Sequence, residues 1–244
     1  MSVSQARVGP KAGPVLFERQ RLLLGLLDAL GGKAGRLDFQ KLLFLYCQED
    51  GAGGAYEFVP YKFGAFSFTS YADWRKLVER GLLADDEELW RLTDEGRKIV
   101  GRVGDLRLST FARRHRDLRG EALVAETYRR FPYYATRSEI ADRVLRGDDV
   151  ALMRIEKSRP ASKAPRLATI GYEGRTIESY LNELLRSSVT LLCDVRRNAL
   201  SRKYGFAKST LSTGCAGVGI RYEHLPELGI ASDQRRNLRD AGRL

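Results

Sequence analysis

The sequence predicts an α/β protein in two parts, a mainly helical first half followed by a second half built on a parallel sheet. From residue 17 to residue 105, leucines and aromatic residues recur at helical spacing between glycine stops. From residue 166 onward, short apolar runs alternate with helical stretches in the order of a βαβ unit. Between them, "KSRPASKAPR" has the composition of a linker. We therefore predict a disordered lead-in (1–15), a helical domain (16–105), a helical connector with a basic linker (106–165) and a sheet domain (166–244).

Charge and composition narrow the functional class. The chain carries 42 Lys and Arg against 31 Asp and Glu, a formal net charge of +11, which favours nucleic acid or a nucleotide as partner. No apolar run approaches the roughly 20 residues of a membrane-spanning helix, and the N-terminal stretch lacks the apolar core of a secretory signal. We therefore expect a cytoplasmic protein. Cys47, Cys193 and Cys215 are odd in number and widely spaced, which favours reduced structural thiols. No metal site and no cofactor are predicted.

Three helices are predicted in the first half. Four leucines at helical spacing in "ERQRLLLGLLDALGG" predict the first, and "DFQKLLFLYCQED" predicts the second with Asp38 as its N-cap. Thr69 or Ser70 is expected to cap the third. One face of that third helix is more typical of core packing than of a binding platform. This face contains Tyr71, Trp74, Leu77 and Val78.

The continuation "RKLVERGLLADDEELWRLTDEGRKIVGRV" is typical of the end of a winged-helix domain. A helix, a glycine stop and an acidic turn precede the strand "LWRL", after which Thr93 caps another helix. In winged helices the helix before the hairpin enters the DNA major groove, so Arg75, Lys76 and Arg80 are candidates to face DNA. The acidic hairpin tip "ADDEE" equally favours a protein-interaction module.

The first half also resembles the Panacea domain family. The resemblance spans roughly residues 17 to 105 and is strongest in "FGAFSFTSYADWRKLVERGLL". Similarity links that family to antitoxins that bind and neutralise partner proteins. The resemblance therefore implies a protein partner for this half.

The connector contains the basic run "RRHRDLRG". Arg113, Arg114 and Arg116 are candidates to contact phosphates, with a solvated basic face as the alternative. His115 is predicted to be a solvated member of that face, because Asp117 is the nearby acid in the sequence.

Three parallel strands are predicted in the second half, in "RLATI", in "VTLLCDV" and at Ile220–Glu223, with a helix around Ser209 to Ala216 before the last. A helix is also predicted between the first two strands, and its apolar side contains Ile177, Tyr180, Leu181, Leu184 and Leu185. Ligands of open α/β sheets bind beyond the carboxyl ends of the strands. The predicted anion-binding residues at these ends are Tyr172, Arg175, Asp194, Arg196, Arg197, Arg202 and Lys203. Glu173, His224 and Glu227 are candidates for proton transfer. In the alternative interpretation, Asp194 pairs with Arg196 or Arg202 and only fixes the loop.

The motifs "IGYEGRTIESYLNELL", "LLCDVRRNALSRKYGF" and "GIRYEHLPELGI" resemble, in this order, the family catalogued as domain of unknown function 488. The resemblance implies a Rossmann-like domain related to nucleotide- or base-processing proteins of conflict systems. It assigns Glu173, Asp194, Arg196, Arg202, Lys203, His224 and Glu227 to the family's characteristic motifs. The Cys-His-Arg motif that usually follows in this family is not in the sequence, so the resemblance implies an incomplete sheet and a truncated domain.

Two functional hypotheses follow. In the first, the chain is directed at nucleic acid or a nucleotide in a prokaryotic conflict or regulatory system and processes a base or a glycosidic bond. In the second, it is a non-enzymatic, antitoxin-like regulator that binds DNA or a protein, with an inactive second half.

Overall fold

The computed structural model describes residues 16–49, 54–86, 88–101, 105–161 and 167–230, which form a mixed α/β structure rich in helix. The lead-in 1–15 and the residues after 230 lie outside the described part, and so does the expectation that the lead-in is disordered. In chain order the elements are α1 (Glu18–Ala29), β1 (Lys33–Gly35), α2 (Arg36–Glu49), β2 (Val59–Tyr61), β3 (Gly64–Phe66), α3 (Phe68–Glu79), β4 (Leu89–Arg91), α4 (Asp94–Val100), α5 (Leu106–Arg114), α6 (Gly120–Arg130), α7 (Ala141–Val144), α8 (Asp149–Lys157), α9 (Ile177–Arg186), β5 (Leu191–Asp194), α10 (Lys208–Gly217) and β6 (Arg221–His224).

The first half contains two small antiparallel sheets among its helices. β1 pairs with β4, and the isolated bridge between Leu83 and Leu92 extends this pairing toward the glycine stop after α3. β2 and β3 form a separate hairpin. The predicted order of helix, stop, strand and helix is confirmed, and the Thr93 hydroxyl accepts a hydrogen bond from the Gly96 amide at 3.1 Å, as expected of an N-cap.

Two predicted helix caps are wrong. α2 begins at Arg36, so Asp38 lies in its first turn and instead accepts a hydrogen bond from the Gly120 amide at 2.9 Å. α3 begins at Phe68 and is capped by Ser67, whose hydroxyl accepts from the Ser70 amide at 3.3 Å. Three hydroxyl residues follow one another closely in "FSFTS", and each has the chemistry of a cap. The sequence alone does not say which of them precedes the first helical turn.

The largest hydrophobic core extends beyond the domain boundary that the sequence predicts at residue 105. It runs from Leu16 to Leu123 and includes Leu108 and Phe111 of α5. A smaller cluster joins α6 to α8 through Val124 and Ile155. The connector is helical, as predicted, but its first helices are built into the core of the first half.

The second half contains a two-stranded parallel sheet within the described residues. β5 pairs with β6 in a register that places Asp194 opposite His224, and α10 lies between the two strands in the chain. The last predicted strand is thus confirmed, one residue further along than expected. The strand predicted in "RLATI" is not formed in residues 167–170, where Leu167 is 99% exposed and only Ile170 packs against the core. A strand needs a paired neighbour, and the apolar composition of this run does not supply one.

Helix α9 confirms its predicted amphipathic face. The residues of this face are buried against the sheet and α10. They are Ile177, Tyr180, Leu181, Leu184 and Leu185.

The two halves meet through a buried carboxylate. Glu178 of α9 is completely buried and accepts hydrogen bonds from the Ser67 hydroxyl at 3.1 Å and from the Thr69 amide and hydroxyl at 2.7 and 3.0 Å. These donors lie at the N-terminus of α3, where the helix dipole favours a negative charge. On a neighbouring part of the junction, a Cβ at Gly217 would overlap the Tyr61 ring. The two halves are therefore in direct contact at this junction.

We expect Glu178→Gln to lower the free energy of unfolding by about 1 kcal/mol near pH 7, because an amide oxygen still accepts from Thr69 whereas its NH2 group replaces an acceptor. Burial raises the pKa of Glu178 above its usual value. The Glu178 carboxyl therefore keeps its proton to a higher pH in the folded chain than in the unfolded chain. Its contribution to the free energy of unfolding falls as pH rises. In urea titrations, the difference in free energy of unfolding between the native chain and Glu178→Gln should therefore shrink as pH rises from about 4 to about 7. Glu183→Gln, half exposed on the same helix, is the control. An identical pH profile for both variants would contradict the assignment.

Candidate functional site

The carboxyl ends of β5 and β6 lie side by side, as the sequence predicts. Asp194 is the last residue of β5 and His224 the last of β6, and the two are register partners. The Leu225 amide donates a hydrogen bond to the Asp194 carbonyl at 2.9 Å, which continues the pairing one step past the strands. Beyond this edge, a Cβ at Gly229 would overlap the backbone of Val195 and Arg197. The segments that leave the two strands are therefore in direct backbone contact.

Asp194 is the centre of a closed hydrogen-bond network. Its carboxylate accepts from Nε and Nη2 of Arg196 at 2.8 and 2.5 Å and from the Tyr222 hydroxyl at 2.6 Å. Nη1 of Arg196 donates to the carbonyl of Phe206 at 2.8 Å. Burial alone would disfavour the charge, but the hydrogen bonds from Arg196 and Tyr222 outweigh it and lower the pKa of Asp194 to about 2. Asp194 therefore pairs with Arg196, one of the two partners in the alternative interpretation that this ion pair fixes the loop.

The turn between Gly171 and Gly174, which precedes α9, also contacts this network, although no strand is formed before it. The Tyr172 ring stacks on Phe206 with 4.8 Å between ring centroids, and the Arg196 guanidinium lies 5.3 Å from the Tyr172 ring. Nζ of Lys203 donates to the Tyr172 carbonyl at 2.8 Å. The structure therefore brings together Tyr172, Asp194, Arg196 and Lys203, and each guanidinium nitrogen of Arg196 and the ammonium of Lys203 donate at least one hydrogen bond within the protein.

The three proton-transfer candidates are not hydrogen-bonded to one another. Nε2 of His224 lies 2.8 Å from the carbonyl oxygen of Arg196 and must donate its hydrogen to it, which leaves Nδ1 as the acceptor of the neutral ring. Glu173 and Glu227 are exposed, and neither has a side-chain partner within the described part of the chain. Arg175 is half-buried and lies 3.9 Å from Glu183. The geometry holds His224 in place and does not pair it with a carboxylate.

Two of the predicted anion-binding residues are not neutralised by an ion pair among the described residues. Arg197 and Arg202 are exposed and form no ion pair with any residue that the structure describes. An open cleft of about 750 Å³ lies between α10 and β6. We call it the strand-end cleft. Its lining residues are Leu200, Ala207, Lys208, Ser209, Ser212, Thr213, Tyr222 and His224.

Sequence reasoning missed the polar residues that α10 contributes to this cleft. Lys208 and Ser209 begin the helix, and Ser212 and Thr213 follow at a spacing of three to four residues, which places all four on one face over its first two turns. The signal was in the sequence "KSTLST", where hydroxyl residues recur at helical spacing beside a lysine. The helix begins after Ala207, whose side chain offers no cap.

The candidate DNA-facing helix of the first half is only partly open. Arg75, Lys76 and Arg80 are exposed, as predicted. The first turn of α3 is covered, because Glu178 binds Thr69 there and the Tyr204 hydroxyl donates to the Phe68 carbonyl at 2.9 Å. Recognition helices read bases mainly with their N-terminal residues. The DNA-facing role of these three cations stays a prediction.

The prediction for His115 is wrong. His115 is buried, its ring packs 4.5 Å from that of Phe111, and its Nε2 lies 3.1 Å from the carboxylate of Glu49. Arg114 also bonds to Glu49, at 2.9 Å, and Arg130 does so from α6. Glu49 lies 66 residues from His115 in the sequence, so no local pattern announces the pair. Arg113 and Arg116 remain exposed, as expected of a basic face.

The comparisons with known proteins bear on the second half. A family model described as "Domain of unknown function DUF488" matches residues 176–243. This segment matches DUF488. The DUF488 segment includes α9, β5, α10 and β6, the elements that build the Asp194 network and the strand-end cleft. The chain has no match among curated proteins and none among solved structures. The resemblance of the first half to Panacea domains and winged helices stays a prediction.

Among the described residues, none of the helices has the length and apolar character needed to cross a bilayer. The three cysteines are free thiols, with Cys47 and Cys215 buried and Cys193 exposed on β5.

Proposed function

We propose that this chain binds nucleic acid or a nucleotide through phosphate groups at the strand-end cleft. The observation that carries the proposal is exposed positive charge, without an ion-pair partner among the described residues, on the segment that leads from the carboxyl end of β5 to α10. Arg197 and Arg202 lie in the loop after β5, and Lys208 lies in the cleft wall. The net charge of +11 adds a long-range attraction for polyanions.

The open cleft carries hydrogen-bond donors that suit a phosphate group. The hydroxyls of Ser209, Ser212 and Thr213 can each donate to a phosphate oxygen, and the ammonium of Lys208 balances its charge. His224 offers Nδ1 to a donor on the base or the sugar, because its Nε2 is occupied by Arg196. The Asp194 network supports the rim of the cleft and does not contact the phosphate.

Within this proposal, binding without catalysis is favoured over base or glycosidic-bond processing. Acid–base catalysis needs a proton donor and acceptor within hydrogen-bond reach of the reacting atoms. His224 is hydrogen-bonded to a backbone carbonyl, and Glu173 and Glu227 are exposed without a side-chain partner among the described residues. We therefore place a non-enzymatic, antitoxin-like regulator of nucleic acid or of a protein partner first, and an enzyme of a conflict or regulatory system second.

The fold supports this proposal in both halves. The sheet formed by β1, β4 and the Leu83–Leu92 bridge, with three helices around it, is consistent with a winged-helix-like first half related to Panacea domains. The β5–α10–β6 order with parallel pairing is consistent with a Rossmann-like second half. A cytoplasmic location fits such a regulator.

The proposal predicts that Arg197→Ala, Arg202→Ala and Lys208→Ala together weaken binding of a labelled single-stranded oligonucleotide by at least about tenfold in low salt. A fluorescent adenosine triphosphate analogue should show the same loss. The slope of log affinity against log salt, roughly −3 for four phosphate contacts on a single strand, should become shallower by about 2. Fluorescence anisotropy measures both quantities.

The matched control removes the same charge elsewhere. Arg154, Lys157 and Arg159 are exposed on and after α8, before the DUF488 segment in the chain and outside the lining of the strand-end cleft, and their triple alanine variant should bind as the native chain does. An equal loss in both triple variants would reduce the effect to generic charge. No binding by the native chain in low salt would refute the proposed function.

A further inference from the structure

The two faces of the β5–β6 sheet have different surroundings. Leu192 and Tyr222 pack in one hydrophobic cluster with α9 and α10, which cover the first face. Successive side chains of a strand point to opposite faces, so the intervening positions form the second face. We call it the open face, and its residues are Leu191, Cys193, Arg221 and Glu223. Three of these four side chains are exposed and Leu191 is half-buried, so no described element covers this face.

An uncovered face is unusual for a parallel sheet. The helices that connect parallel strands usually cover both faces, and all-parallel sheets occur almost only in that form. Here α9 and α10 both pack on the first face. The open face also exposes the thiol of Cys193, although free cysteine is among the residue types most often buried. The open face therefore has the features of a surface that a partner covers.

Apolar side chains add to this surface at the carboxyl end of the sheet. Val195 is the next alternate position after Cys193 and is 45% exposed. Leu228 and Ile230 are 64% and 48% exposed, and Gly229 between them lies against the carbonyl of Val195. Exposed apolar groups that lie together mark surfaces for protein partners. The surface is therefore larger than the four residues of the open face alone.

The charges of the open face balance each other. Nε of Arg221 lies 3.2 Å from the Glu223 carboxylate, and both side chains are exposed, so this surface ion pair contributes little to stability. The whole chain carries a net charge of +11, and its basic surfaces therefore repel a second copy. A face with one cation and one anion has no net charge to repel its own copy. A twofold axis between the two charges places each cation opposite the anion of the other copy, so the open face is complementary to itself.

We propose that the open face binds the open face of a second copy of this chain in a twofold symmetric dimer. The axis lies between the two stacked sheets, runs across the strands and passes the level of Tyr222. Arg221 then faces Glu223 of the other copy, because the two residues lie one position before and one after Tyr222. Leu191 faces Cys193 of the other copy for the same reason. Stacked sheets pack about 10 Å apart, which takes these side chains out of water.

The dimer leaves the strand-end cleft of each copy open. Tyr222 and His224 line that cleft, and both occupy the alternate positions of β6 that belong to the first face. The dimer does not depend on the proposed function. If both hold, the assembly has two clefts, and an oligonucleotide long enough to reach both binds more tightly than a short one.

Sedimentation equilibrium between about 1 and about 100 μM tests the dimer, because a small interface predicts weak association. The native chain should approach twice the monomer mass at the highest concentration. Glu223→Arg and Arg221→Glu each give the open face two like charges, so each should weaken the dimer at least about tenfold. An equimolar mixture of these two variants should dimerise again, since each then meets the opposite charge. Glu183→Arg, at an exposed position of α9, is the control and should dimerise as the native chain does.

The thiol of Cys193 gives a second readout, specific to the open face. Cys193 is exposed, whereas Cys47 and Cys215 are buried, so a maleimide label reports on Cys193 in the folded chain. Because the dimer covers Cys193, labelling of the native chain should slow as the protein concentration rises through the same range. Glu223→Arg should be labelled at one rate at every concentration. Circular dichroism shows that each variant is folded.

The outcomes separate this proposal from the proposed function. A native chain that stays monomeric to about 100 μM overturns the dimer, and so does a mixture of the two charge variants that does not regain it. A dimer that neither variant weakens lies on another surface. A monomer whose Cys193 resists the label shows that another part of the chain covers the open face. If the dimer forms but no oligonucleotide binds in low salt, the proposed function fails alone, and a monomer that binds through the strand-end cleft leaves that function standing.

Discussion

Asp194→Asn should lower the free energy of unfolding by on the order of 3 kcal/mol, the usual cost of leaving one partner of a buried ion pair without its counterion. The Asp194 and Arg196 side chains are only 5% and 19% exposed, so the guanidinium would lose its counterion where water reaches it poorly. The Tyr222 hydroxyl would lose its charged acceptor as well. Urea unfolding should show a lower midpoint with an unchanged slope.

The pH dependence of this effect has a definite sign. The pKa of Asp194 is lowered from 3.8 to about 2, so the folded chain holds the charge where the unfolded chain takes up a proton. The stabilisation is fully present above the unfolded pKa and is lost as pH falls toward the folded one. The free energies of unfolding of Asp194→Asn and of the native chain should therefore differ less near pH 2 than at neutral pH. Asp117→Asn, exposed beside α5, is the control. A neutral-pH change of less than about 0.5 kcal/mol, typical of an exposed position, would show that the network does not fix the loop.

Much of this fold was predictable from patterns of short range. Leucines at helical spacing predicted α1 and α2, and the apolar side of α9 was predicted residue by residue, because the 3.6-residue period is a local property. The ends of β5 and β6 were found in the same way, since an apolar run that ends in charge marks the edge of a sheet. The missing strand at residues 167–170 shows the limit, because a strand depends on a neighbour that the local sequence does not contain.

The candidate site was predictable in its position and less so in its contacts. The sequence located the arginines after β5, but it could not assign Arg196 to the Asp194 network and leave Arg197 and Arg202 without an ion pair among the described residues. That division depends on where each guanidinium points after the chain turns. The same limit applies to His115, whose carboxylate partner is far away in the sequence. Contacts between distant segments are set by packing, which a pattern in one segment does not encode.

Helix α2 places a lysine, Lys41, in the interior of the protein. Lys41 is 2% exposed, and its ammonium nitrogen donates to the Ala65 carbonyl at 2.8 Å as its one hydrogen bond among the described residues. Burial disfavours the charged form and lowers the pKa of Lys41 to about 7. In the unfolded chain the same group has its ordinary value of 10.5. Folding near neutral pH therefore requires the lysine either to lose its proton or to bury an unpaired charge.

Replacing this lysine with methionine should stabilise the protein, by about 2 kcal/mol near pH 6.5. The gain is smaller than the several kcal/mol expected from the pKa difference, because the Ala65 carbonyl loses its donor. Between about pH 7 and pH 10.5 the unfolded native chain holds a proton that the folded chain lacks, so native stability rises with pH through this window. Lys41→Met lacks that rise of several kcal/mol, so its advantage should reach zero at about pH 8, and the native chain should be the more stable of the two by about 2 kcal/mol at pH 10. Urea titrations at both ends of the window measure the difference, with Lys33→Met at an exposed position of β1 as control. A Lys41→Met variant that is less stable than the native chain at pH 6.5 would show that the ammonium is well accommodated and that burial does not depress its proton affinity.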